Sequence, residues 1–209
     1  MRADCLGRLS RTGQQSMRDY GVRTIIDIRS PQEVAAEPYD LADAGGLLRL
    51  HLPIEKYYPH VGALIRNATS RFEVYCIVAD HYPDAIVAIL QAVSSAQPGG
   101  VVIHCHSGKD RTGMIAALLL AIACVPAGAI AADYAESQAR LWPEYEQRLR
   151  QGNIASGEGL WQKPLAEPET MLGFLDHLNT RYGGIRTYLA QAGMPAFAID
   201  QIQDRLGWR

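Results

Sequence analysis

The sequence predicts an α/β protein, with a central sheet flanked by helices and a helical C-terminal part. Three observations carry that prediction. Short β-branched runs alternate with segments of helical apolar spacing as far as residue 125, the runs end in polar residues, and beyond Pro126 only helical spacing remains. With 209 residues, 48% of them hydrophobic, the chain has material for a sizeable core and reads as one domain. Residues 1–125 form its α/β part and 126–209 its helical part.

Thr12 to Tyr20 reads as a short helix closed by Gly21. RTIIDIRS, Arg23 to Ser30, follows as a buried strand, and the alternating LLRLHLPI, Leu47 to Ile54, as a second one ending at Pro53. From Tyr75 to Ala96 the spacing of Ile77, Ile86, Ile89, Leu90 and Val93 favours helix, broken or kinked near Pro83 and ended by Gln-Pro-Gly-Gly. The strand VVIHC and the helix TGMIAALLLAIA come next. Helices are then expected over Ala127 to Gln151, Glu167 to Tyr182, Ile185 to Gln191 and Pro195 to Leu206, with a polar stretch holding Gly152, Gly157 and Gly159 after the first. Pro195 and Gly207 suit the two ends of the last helix. In such an architecture ligands gather at the carboxyl ends of the strands.

Twenty basic and 22 acidic residues leave a net charge of −2, which advertises neither nucleic acid nor an anionic membrane as a partner. Any anion binding must be local. Cys5, Cys76, Cys105 and Cys124 show no CxxC pairing and no metal-site spacing, so a reducing compartment is expected. MRADCLGRLS lacks an apolar leader core, and the longest apolar run, Met114 to Ala127, is too short to span a bilayer. A cytoplasmic protein without membrane insertion is expected, export without a signal peptide being left open. Oligomeric state is not legible.

The densest chemistry lies in HCHSGKDRTG, His104 to Gly113, between the last predicted strand and its helix. A loop curled into a helix N-terminus turns successive backbone N–H groups inward as a nest for an oxyanion, and the helix dipole adds positive potential. Arg111 can close that nest with a planar fork on two phosphate oxygens. The same field favours a thiolate at Cys105, poised to attack a bound phosphorus and form a phosphocysteine. A nucleotide-binding Walker loop is excluded by Ile103 and Asp110, which stand where glycine and Ser or Thr are required. Zinc held by His104, Cys105 and His106 is disfavoured because adjacent strand residues point to opposite faces. A plain turn with a buried cysteine would leave the crowd of charged side chains unexplained.

The loop resembles the signature of cysteine-dependent phosphatases, and GKDRTG resembles the bacterial tyrosine-phosphatase-like family. YGVRTIIDIRSPQE, ADYAES and RYGGIRTYLAQAGM are similar to further blocks of that family, so the likeness covers almost the whole chain; MRAD falls where relatives carry another short block, and an upstream segment common in the family has no counterpart, which leaves the sheet edge open to being incomplete. The resemblance implies a cysteine-dependent phosphatase fold and a phosphomonoester hydrolase without cofactor or metal. Its expected substrates are phosphorylated proteins, chiefly on tyrosine, with phosphoserine, phosphothreonine or phosphoinositide activity in addition. It implies Cys105 as nucleophile, a phosphate cradle from the amides of His106, Ser107, Gly108, Lys109, Asp110 and Arg111, Arg111 as clamp, and the Thr112 hydroxyl near the sulfur. His104 holds the loop by hydrogen bonds. Asp27, Arg29 and Glu33 read either as catalytic or as a salt-bridge cluster, the cluster being the better reading, and Tyr134 and Ser137 as structural.

Expelling a phenolate or alkoxide needs a proton donor at the leaving oxygen. Many cysteine phosphatases keep an aspartate about thirty residues before the nucleophile, but position 75 is tyrosine here. Asp110 is the better candidate, against a role as a loop brace paired with Lys109. Glu55, just past Pro53, is the alternative acid. Lys109 is either a second phosphate-binding cation or the partner of Asp110. A rhodanese-like sulfurtransferase and an inactive phosphate-binding module remain as rival functions.

Overall fold

A computed structural model describes residues 1–39, 41, 46–55, 58–153 and 160–207; Gly157 and Gly159 of the expected polar stretch lie outside them. Four parallel strands form the sheet in the order β1–β4–β2–β3: β1 (Arg2–Ala3), β2 (Val22–Asp27), β3 (Leu48–His51) and β4 (Gly100–His104). β2 and β4 are central, so their runs of β-branched residues are buried on both faces, as parallel strands require. β3 is an edge strand and largely exposed. β1 is only two residues long, pairing Arg2 with Ile103 and Ala3 with His104 along the other edge of β4.

The expected helices are present, with boundaries set by identifiable signals. α1 (Arg11–Asp19) starts at Ser10, whose hydroxyl accepts from the Gly13 N–H. The apolar segment before the loop is two helices, α4 (Arg71–His81) and α5 (Pro83–Ser94), their axes bent by 83° where proline removes a donor. α6 (Asp110–Ile122) follows the cysteine loop, then α7 (Ala127–Arg150), α8 (Pro168–Tyr182), α9 (Ile185–Gln191) and α10 (Ala196–Arg205). Two short helices were not expected. α2 (Pro31–Ala36) is initiated by a capping box between Ser30 and Glu33, and α3 (Pro59–Asn67) by Pro59 in its first turn. α2 buries no side chain and α3 only Val61, so neither carries a marked apolar stripe.

The two sheet faces are covered unequally. On one side Val22, Ile25 and Val102 pack with Leu6, Leu41 and the partly buried Met17 of α1. On the other, Ile26, Ile28, Ile103 and Cys105 join the main core, built with α4, α5, α6, α8 and α10 through residues such as Tyr75, Ile86, Leu118, Phe174 and Ile202. The helical part is therefore continuous with the α/β core. α6 is buried along most of its length, which holds its N-terminus rigidly against the end of β4. Among the described residues no single helix is long and apolar enough to cross a membrane.

Candidate active site

β4 ends at His104 and α6 begins at Asp110, so Cys105 to Lys109 form the connecting loop. Its path is pinned against β1. Gly108 has φ +66°, and a Cβ there would lie 2.5 Å from the Ala3 carbonyl oxygen and 2.7 Å from the Asp4 nitrogen. Glycine is required on both counts. One step away the Cys5 N–H donates to the His106 carbonyl at 2.9 Å. The N–H groups of Ser107 to Arg111 find no backbone acceptor among the described residues, as befits a loop and first helical turn built to hold an anion. Cys105, 1% exposed, stands at the head of this loop.

Arg111 occupies the first turn of α6 and meets a carboxylate from α2, the helix after the neighbouring strand β2. Its Nη1 and Nη2 donate to Glu33 Oε2 and Oε1 at 2.5 and 2.6 Å. The same Glu33 Oε2 accepts the Ser30 N–H at 2.8 Å, completing the capping box of α2. One carboxylate thus caps a helix and aims the guanidinium. A guanidinium has five N–H donors, and this fork uses two, which leaves the Nε edge for phosphate. Burial pushes the Glu33 carboxyl up, but the hydrogen bonds and charge of Arg111 outweigh it and hold the group down at about 2. Burial opposes the Arg111 charge, while Glu33 and Cys105 favour it and raise its pKa overall.

Asp110 is gripped on one oxygen. The Tyr75 hydroxyl donates to Oδ1 at 2.6 Å, Lys109 Nζ lies 3.3 Å from it and Arg71 Nε 3.7 Å. Tyr75 also shares a 2.8 Å hydrogen bond with the Tyr134 hydroxyl. Burial raises the pKa of Tyr75 well above the phenol range and that of Tyr134 to about 12, with Asp110 adding to both, so each hydroxyl keeps its proton. Of the two readings of Lys109, the pairing with Asp110 is the one this geometry displays. The lysine side chain is buried, and Nζ donates to the Leu165 carbonyl at 2.8 Å, so a second phosphate would compete with that bond and with Asp110.

The remaining expected residues divide between wall and support. Glu55 lines the same cavity as Asp110 and Arg111; burial raises its pKa, Glu33 and Asp110 add to the rise, and Arg111 opposes it. His106 and Ser107 also line the cavity, His106 Nε2 lying 3.5 Å from Glu37. His104 is fully buried, its Nε2 paired with the Tyr39 hydroxyl at 2.6 Å and its Nδ1 with the Cys105 carbonyl at 3.1 Å. Burial lowers its pKa although Asp27 opposes the shift, so it braces the loop as a neutral ring. Arg29 Nη2 donates to Asp27 Oδ2 at 2.8 Å, and Arg29 Nη1 reaches the Glu37 carbonyl and the Cys5 sulfur, a buried cluster beside His104. The Thr112 hydroxyl is buried, and among the described residues it has no hydrogen-bond partner.

Of these groups Glu33, Glu55, His106, Lys109, Asp110 and Arg111 line an open cavity of about 770 Å³, ample for an aryl phosphate and the chain that carries it, while Cys105 is buried at the head of the loop behind them. The sequence matches the model of the tyrosine phosphatase family over residues 1–207. The chain belongs to the tyrosine phosphatase family. A tyrosine-protein phosphatase from Nostoc commune is 30% identical over an alignment covering 97% of this chain and 72% of that protein. The triple specificity protein phosphatase PtpB from Mycobacterium tuberculosis is 25% identical over 97% of this chain and 88% of its own length. This member of the tyrosine phosphatase family is accordingly a phosphatase of the protein-tyrosine-phosphatase type.

Two site residues of this phosphatase escape a reading of the sequence. Arg71 sits at the start of α4 among apolar residues with no motif to mark it. Tyr75 occupies the position that an aspartate holds in many cysteine phosphatases, and it does reach the site, as a donor to Asp110 rather than as an acid. Tyr134, expected to be structural, stands behind Tyr75, and Ser137 accepts from Arg2 Nη1 at 2.9 Å, tying β1 to α7.

Proposed function

We propose that this phosphatase hydrolyses phosphomonoesters through a phosphocysteine on Cys105, with phosphotyrosine as its principal substrate. The observation that carries the reading is the loop itself. A buried cysteine opens an unpaired run of backbone amides on a helix N-terminus, and Arg111, aimed by Glu33, closes it. The cradle stabilises charge developing on the equatorial oxygens in the transition state. The Cys105 sulfur forms a bond to phosphorus as the phosphorus–oxygen bond to the leaving group breaks, and that oxygen takes a proton from an acid in the wall. Water then attacks phosphorus, the sulfur leaves with its electron pair, and the same carboxylate accepts the water proton.

Asp110 is the acid in this reading, because it lies in the loop beside the clamp and lines the cavity. The raised pKa of Glu55 favours a second reading in which Glu55 carries the proton. The two separate on leaving-group dependence: loss of the acid costs much more with phenyl phosphate than with p-nitrophenyl phosphate, so the true acid is whichever of Asp110→Asn and Glu55→Gln shows that selectivity. Cys105→Ser tests the nucleophile. It should abolish turnover while the amides and Arg111 still bind vanadate, and undiminished turnover would end the proposal. A sulfurtransferase would also need its cysteine, but would transfer sulfur to cyanide and spare aryl phosphates. The name of the triple-specificity relative supports a range wider than phosphotyrosine, and the cavity has room for phosphoserine, phosphothreonine or a phosphoinositide as further substrates.

A further inference from the structure

Asp110 offers its two carboxylate oxygens unequally. Tyr75, Lys109 and Arg71 all address Oδ1, and no partner for Oδ2 is found among the described residues, although the side chain is 19% exposed and lines the cavity. A carboxyl held on one oxygen presents the other in a fixed direction. Arg71 does this from an unusual position. It is 7% exposed, and its Nη2 donates to the carbonyls of Leu160 and, at 2.7 Å, Lys163, while its guanidinium carbon lies 5.7 Å from the centre of the Trp161 ring. Its Nε is buried without a hydrogen-bond partner and stands 3.7 Å from Asp110 Oδ1. Because Nη2 is anchored on backbone carbonyls, the direction of Nε is set by the segment 160–166, whose Trp161, Lys163 and Pro164 form one wall of the cavity.

We propose that Arg71 is a positioning residue for proton transfer, fixing Asp110 Oδ1 against the segment 160–166 so that Oδ2 delivers the proton to the leaving oxygen. The inference rests on the assignment of Asp110 as the acid. Arginine suits the task because its Nη2 holds the two carbonyls while the same rigid, charged plane keeps Nε 3.7 Å from the carboxylate, which a lysine ammonium cannot do in the same geometry. Lys109 supports it from the other side, joining Asp110 to the Leu165 carbonyl of the same segment.

The test compares kcat on p-nitrophenyl phosphate and on phenyl phosphate for the parent, Arg71→Gln, Arg71→Lys, Asp110→Asn and the Arg71→Gln/Asp110→Asn double variant. Loss of a general acid costs about a hundredfold or more on the poor leaving group, so Asp110→Asn should lose that much on phenyl phosphate and little on p-nitrophenyl phosphate. Arg71→Gln should reproduce the selectivity in part, about tenfold, with vanadate affinity unchanged. Arg71→Lys should fall between it and the parent. In the Asp110→Asn background the Arg71 change should cost nothing further, since the group it positions is gone. Equal losses on both esters for Arg71→Gln, beside a selective Asp110→Asn, would overturn the positioning role and leave a purely structural arginine. A non-selective Asp110→Asn would instead remove the acid assignment, and the inference with it. Should Arg71→Gln fail to fold, Tyr75→Phe deletes the 2.6 Å donor to the same oxygen and must show the same partial selectivity.

Discussion

Replacing Glu33 with glutamine should cost both stability and phosphate affinity, in proportions that follow from one carboxylate. Its carboxyl falls from an ordinary 4.5 to about 2 in the folded protein. At 1.36 kcal/mol per pKa unit that drop is worth at most about 3 kcal/mol. The side chain is 30% exposed, and solvent screening reduces the figure to about 1–2 kcal/mol. Because the folded pKa is depressed, this stability is fully present above pH 4.5 and lost as the pH falls towards about 2. The parent should therefore exceed Glu33→Gln by about 1–2 kcal/mol in urea unfolding at pH 7, a melting-temperature difference of roughly 2–8 °C in a chain of this size. The gap should close between pH 4.5 and the acid limit. Glutamine also turns an amide donor towards a guanidinium and breaks the fork, so vanadate should bind about tenfold more weakly at pH 7. A stability gap that does not change with pH, together with unaltered vanadate affinity, would refute the account of Glu33 as the residue that aims Arg111.

Two further substitutions probe the loop. Gly108→Ala forces a side chain onto the Ala3 and Asp4 backbone at a positive φ, so it should cost about 2 kcal/mol or more in stability and most of the turnover; wild-type values for both would mean the loop does not press on β1. Lys109→Ala tests whether this buried cation reads a second phosphate: its ties to Leu165 and Asp110 predict similar losses on a phosphotyrosine peptide and on a soluble phosphoinositide, whereas a selective loss on the inositol lipid would show that the ammonium leaves those partners for the substrate.

The loop and its flanking elements are the most legible part of this chain, because strand, nest and helix are consecutive in sequence and each carries its own signal. β2, β4 and α6 could be read from apolar runs alone. α2 and α3 could not, because they bury almost nothing and their information lies in a capping serine and a proline rather than in an apolar stripe. Ser30 and Glu33 do spell a capping box, but nothing local says that the same glutamate will face Arg111, 78 residues away. The support of Asp110 is less legible still. Tyr75 and Arg71 on α4, Asp110 on α6 and the carbonyls of Leu160 and Lys163 come from distant stretches of the chain, and only the tertiary fold, in which α4 packs against α8, brings them together. Lys109 is legible only as a pair of alternatives, since a cation in a phosphate loop suits phosphate and Asp110 alike, and its second partner, the Leu165 carbonyl, lies 56 residues away.

The covalent intermediate is the centre of the mechanism and can be observed directly. Rapid mixing with a labelled aryl phosphate, an acid quench and peptide mapping should place one phosphoryl group on the Cys105 peptide in the parent, accumulating further in whichever acid variant slows hydrolysis of the intermediate, and none in Cys105→Ser. Turnover of the ester with no phosphoryl group on Cys105 at any quench time, or with the label on another residue, would contradict the account.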